Sequence, residues 1–75
     1  MDFKKFIGFK KPRETIINLK KCLNNKLREE HFYKQAADRA KDEGFSNVAE
    51  FFRNLVKEEK ENAKKIEAFL HKIRD

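Results

Sequence analysis

The sequence has a single cysteine, Cys22, and therefore cannot form an intrachain disulfide. It also has no apolar run approaching the roughly 18 residues that a membrane-spanning helix needs. The N-terminal segment lacks a continuous apolar stretch and a small-residue cleavage site, so we expect no signal peptide. Together these absences favour a cytoplasmic protein in a reducing compartment.

Residues that break helices are also scarce. The 75 residues include two glycines and one proline, while 43% of the chain is charged. This composition is typical of long helices around a small core. A chain of this length forms one domain at most and often needs a partner to bury enough apolar surface.

The formal net charge of +6 is concentrated near the N-terminus. Residues 1–13 hold five basic side chains against one acidic one, whereas residues 14–75 hold 14 against 12. Residues 1–11 therefore form a basic, partly apolar arm that either covers one end of a helical bundle or docks on a protein partner or an anionic membrane surface. The docking residues would be Phe3, Lys4, Lys5, Phe6, Ile7, Phe9, Lys10 and Lys11. We expect no nucleic-acid binding, because this basic cluster is short and contains no recognised motif.

Residues 12–75 are predicted to form a helical hairpin, with a helix over 12–43, a turn at 44–46 and a helix over 47–73. Gly44 stands where a left-handed C-terminal cap would end the first helix. Asn24 and Asn25 are two consecutive poor helix formers. A break there is an alternative that would give a monomeric three-helix bundle.

Both predicted helices carry apolar stripes that two antiparallel helices cannot enclose. A second copy of the chain is the simplest cover, so the sequence predicts an all-α homodimer in which two hairpins form a four-helix bundle. The stripes comprise Ile16, Leu19, Leu23, Ala37 and Ala40 in the first helix, and Val48, Phe52, Leu55, Ile66, Phe69 and Ile73 in the second.

Polar residues interrupt both stripes at similar distances from the turn. The predicted polar core layer consists of Lys26, Glu30 and Tyr33 from the first helix and Glu59 and Asn62 from the second. Three interpretations are open: a wet edge of the stripe, a buried Lys–Glu network that sets the dimer geometry, or a metal site using Glu30 and Glu59. No residue is predicted to be catalytic.

Two sequence segments resemble a known family. They are FYKQAADRAKDEGF, which runs into the turn, and VAEFFRNLVKEEKENAKKIEAFL, which follows it. From about Ile16 to Leu70 the chain resembles the helical hairpin of rubrerythrin-like proteins in the ferritin-like superfamily, which typically have EKEHA where this chain has EKENA.

The resemblance implies a four-helix bundle with a di-iron centre for peroxide or dioxygen chemistry. Each hairpin of the family normally supplies a Glu from its first helix and a Glu-x-x-His from its second. Here Glu59 matches the Glu of that pair and Tyr33 a core tyrosine, whereas Lys26 replaces the first Glu and Asn62 replaces the His.

We therefore expect a module without a cofactor that has lost most of its di-iron ligands and acts in assembly or protein interaction. The alternatives are a carboxylate-ligated iron or other divalent metal protein, with rubrerythrin-like oxidoreductase activity, and a generic helical adaptor. Whether the chain is an enzyme is left open, with the weight against it.

Overall fold

The computed structural model describes residues 13–74 as two helices joined by a tight turn. Helix α1 covers Arg13–Asp42 and helix α2 covers Ser46–Arg74. They pack along each other as an antiparallel hairpin, and there is no strand in residues 13–74. The all-α, hairpin part of the predicted fold is confirmed. The predictions for residues 1–11 lie outside the described residues.

Helix α1 is continuous across the two asparagines at its middle. Asn24 and Asn25 both lie within its 30 residues, a length of about 45 Å. The three-helix alternative is therefore wrong for this part of the chain. Two poor helix formers lower the local propensity by less than packing against a second helix restores.

Gly44 ends α1 in a Schellman motif. Its φ angle is 89°, in the left-handed region, as predicted. The Phe45 N–H donates to the Ala40 carbonyl at 2.8 Å, and the Gly44 N–H donates to the Lys41 carbonyl at 3.0 Å. Helix α2 begins at once, and its first bond runs from the Ala49 N–H to the Phe45 carbonyl at 2.9 Å.

Gly44→Ala is expected to lower the free energy of unfolding by about 1 kcal/mol, because a side chain is strained at positive φ. An added Cβ would meet no atom within 4 Å, so backbone strain alone sets this cost. Urea unfolding at fixed chain concentration measures it. Gly44→Asn is the control and should cost less, since Asn tolerates this region. Equal losses in both variants would contradict the explanation.

The core of the hairpin is small. Four of its seven buried apolar residues are alanines: Ala37, Ala40, Ala49 and Ala63. Small side chains let the helices approach closely, but they bury little apolar area. Large apolar residues remain 44–60% exposed, namely Ile17, Leu27, Phe32, Phe45, Val48, Phe51 and Phe69. Neither α1 nor α2 has an apolar stretch that could cross a membrane.

Candidate functional site

The structure brings two of the predicted polar residues into direct contact across the hairpin. Lys26 lies near the middle of α1, and its Nζ is 3.3 Å from Oε1 of Glu59 on α2. Glu59 is the one buried charged residue among residues 13–73, at 7% exposure. The Lys26 side chain is 27% exposed. A buried carboxylate is costly without a partner, and the Lys26 ammonium supplies one.

Glu29 is a third member of this cluster, and the sequence analysis missed it. Its Oε1 is 3.5 Å from the Lys26 Nζ, and its side chain also shares a hydrogen bond with Glu59. The signal that could have found it is the spacing, because residues three apart are neighbours on a helix surface. We call Lys26, Glu29 and Glu59 the Lys–Glu cluster.

The environment moves all three pKa values of the cluster. Burial raises the pKa of the Glu59 carboxyl above its ordinary value, and the hydrogen bond with Glu29 adds to this while Lys26 opposes it. The hydrogen bond with Glu59 lowers the pKa of Glu29. The hydrogen bond to Glu59 raises the pKa of Lys26. The Lys26 ammonium and the Glu29 carboxyl therefore shift the pKa of Glu59 in opposite directions.

The other predicted members of the polar layer lie outside this contact. Oε2 of Glu30 is 3.1 Å from the Nζ of Lys34 on the same helix. The ring of Tyr33 stacks on Phe52 with centroids 6.1 Å apart. Asn62 is exposed on the single hairpin. The structure therefore gathers Lys26 and Glu59 but not Glu30 or Asn62.

The donor set does not fit a di-iron centre. Within residues 13–74, no three His, Cys, Asp or Glu side chains are grouped so that they could hold a metal ion. The two carboxyl groups that do approach each other, on Glu29 and Glu59, both have the Lys26 ammonium within 3.5 Å. A cation fixed at this distance repels a second one.

Comparison with protein families gives one match for this hairpin. The family model described as Rubrerythrin matches residues 18–75, which include α1 from Asn18 onward, the turn and α2. Comparisons with curated proteins and with solved structures give no match. The match extends over well more than half of the chain and includes Lys26, Glu59 and Asn62.

Proposed function

The chain belongs to the rubrerythrin family, and from this premise we propose that it is a non-catalytic bundle module that assembles as a homodimer and serves as a protein-interaction unit. The observation that carries the proposal is the 3.3 Å contact between Lys26 and Glu59. Lys26 stands where the family has a metal-ligating Glu, and its ammonium lies against the one ligand position that is retained. The positive charge that a metal would bring to Glu59 is thus supplied by the chain.

An aromatic band across one face of the hairpin supports the dimer. Phe32 contacts Tyr33 edge-on, Tyr33 stacks on Phe52, and Phe52 contacts Phe51 edge-on. The band begins and ends on exposed rings, because Phe32 is 60% and Phe51 57% exposed. Exposed aromatic rings in a continuous group are typical of a surface that another molecule covers.

The position of Asn62 also favours a second hairpin on this face. Asn62 shares one face of α2 with three apolar residues, because spacings of seven and 11 residues are close to whole numbers of helical turns. These residues are Phe51, 11 residues before Asn62, Leu55, seven before it, and Phe69, seven after it. Phe51 and Phe69 are more than half exposed on the single chain. A partner that covers them would also cover Asn62 and bring it into the interior.

Sedimentation equilibrium at micromolar concentration should give twice the chain mass of 9.0 kDa. Phe51→Glu should weaken association by at least about tenfold, because it places a charge within the proposed interface. Leu27→Glu is the matched control: Leu27 is 50% exposed but lies on the other side of α1 from Phe32, so the variant should remain dimeric. A monomeric native chain with a cooperative melt would refute the dimer.

A further inference from the structure

A cationic groove runs between the helices on the side opposite the aromatic band. It has a volume of about 420 Å³ and is lined by Lys34, Ala37, Asp38, Arg53, Val56, Lys57 and Lys60. At 100° per residue, Lys34 and Asp38 lie on one side of the buried Ala37, and Ala36 and Ala40 lie on the other. Ala36 and Ala40 line a separate, mainly apolar groove with Phe45, Val48 and Phe52, and its remaining described lining residues are Arg39 and Glu43. The hairpin thus has one apolar and one basic side.

The groove has more cationic than acidic side chains among its described lining residues. Of the residues that the structure describes, four cationic side chains and one acidic side chain, Asp38, line the groove. Arg53, Lys57 and Lys60 are exposed, and none of them forms an ion pair with another residue of 13–74. Lys34 does form one, with Glu30. A cluster of cationic side chains on a surface attracts an anionic partner.

We propose that this groove binds an acidic helical segment of a protein partner. Arg53, Lys57 and Lys60 follow each other at intervals of four and three residues, which is about 6 and 4.5 Å along α2. Glutamates at the same intervals on another helix present carboxylates in a row of equal spacing. The floor between the cations is formed by Ala37 and Val56, both buried and small, so a helix can approach closely.

The lining of the groove favours a protein segment over a nucleic acid or a membrane. Single-stranded nucleic acids are held by aromatic rings that stack on bases, and among residues 13–74 no aromatic residue lines this groove. Helices that bind membrane surfaces insert large apolar side chains. The exposed Phe32 and Phe51 belong to the opposite side of the hairpin. The proposal is independent of the dimer because it uses the other side.

The test uses a fluorescein-labelled peptide of about 20 residues, long enough for partial helicity in water, with glutamates at alternating four- and three-residue intervals in an Ala–Gln host. Fluorescence anisotropy with the full native chain is measured at about 0.15 M salt, where distant charges are screened. We expect saturable binding that the same peptide with Gln in place of Glu does not show. The triple variant Arg53→Gln, Lys57→Gln and Lys60→Gln should weaken binding by about tenfold or more.

The matched control removes the same charge from exposed positions outside the groove, through Lys21→Gln, Lys65→Gln and Lys72→Gln. This variant should bind the peptide within about threefold of the native chain. Equal weakening in both triple variants would show a general charge effect and overturn the proposal. So would tighter binding to a single-stranded oligonucleotide or to phosphatidylserine vesicles than to the peptide. Sedimentation of the same samples separates these outcomes from a failure of the dimer.

Discussion

Replacing Lys26 by Met is expected to lower the free energy of unfolding by about 2 kcal/mol. The substitution keeps most of the apolar stem and removes the ammonium, so that the buried Glu59 loses its cation. Breaking a fully buried ion pair costs about 3–5 kcal/mol. The expected loss is smaller here because the Lys26 side chain is 27% exposed and water can partly replace it.

Two controls separate this effect from the loss of an ordinary surface lysine. Lys34→Met breaks a pair of similar length, 3.1 Å to Glu30, but the Lys34 side chain is 54% exposed, so the cost should stay below about 0.5 kcal/mol. In a Glu59→Gln background, Lys26→Met should cost less than about 1 kcal/mol. Urea unfolding at one fixed chain concentration measures all four variants. Equal losses of stability in Lys26→Met and Lys34→Met would contradict the claim that Lys26 compensates a buried charge on Glu59.

The cost of Lys26→Met should also depend on pH. In the folded chain the pKa of the Glu59 carboxyl is raised above its ordinary value of 4.5, so the folded chain binds the carboxyl proton more tightly than the unfolded chain does. The contribution of Glu59 to the free energy of unfolding therefore declines as the pH rises from 4.5 through that raised pKa. Lys26 limits the decline because it lowers the pKa of Glu59. In Lys26→Met this decline continues to higher pH. The difference in free energy of unfolding between the native chain and the variant should therefore be small below pH 4.5 and reach its full size at neutral pH.

The double substitution Lys26→Glu and Asn62→His is expected to create iron binding where the native chain has little. It restores both changed ligand positions of the family pattern around Glu59. At an effective dielectric constant of about 20, two unit charges 4 Å apart interact by roughly 4 kcal/mol, and the native ammonium opposes a divalent ion by more than this. Asn62 offers an amide oxygen, which is a weaker iron ligand than imidazole.

Titration with ferrous iron, followed by absorbance and elemental analysis, should give roughly one iron per chain in the double variant, as expected for a two-iron bundle built from two hairpins. Lys20→Glu with Asn24→His makes the same exchanges at exposed positions of α1 and should bind no more iron than the native chain. Stoichiometric iron in the native chain, held through Glu30 and Glu59, would restore the enzyme hypothesis. A double variant that binds no iron would contradict the assigned ligand positions.

The helical period and the turn chemistry of the sequence are enough to predict the hairpin. Gly44 is the clearest case, because the left-handed cap favours a residue without a side chain and α1 itself contains no glycine. The contact between Lys26 and Glu59 agrees with their similar distances from Gly44, 18 and 15 residues, which differ by less than one helical turn. These features are local, or depend only on counting residues from a local one.

The remaining features depend on how α1 is rotated and on what lies beside it. Glu29 and Glu30 are about 100° apart around α1, so the rotation of α1 about its axis decides which of them contacts Glu59. The apolar stripe does not determine this rotation closely enough, because both acidic residues lie near its edge. The basic row of Arg53, Lys57 and Lys60 has the spacing of any solvated helix face. Its distinctive property, a groove with an alanine and valine floor, exists only once α1 lies next to it.

The Lys26 ammonium differs from a metal ion in one further respect: it is covalently part of the chain. A bound metal must be delivered before it can support folding, and its contribution disappears when a chelator removes it. The charge beside Glu59 is present as soon as the polypeptide has been synthesised, at a ratio of one per hairpin. If Lys26 takes the place of the metal, as we propose, the hairpin needs no delivered metal to mature, and its abundance in an iron-starved cell is uncoupled from the supply of iron.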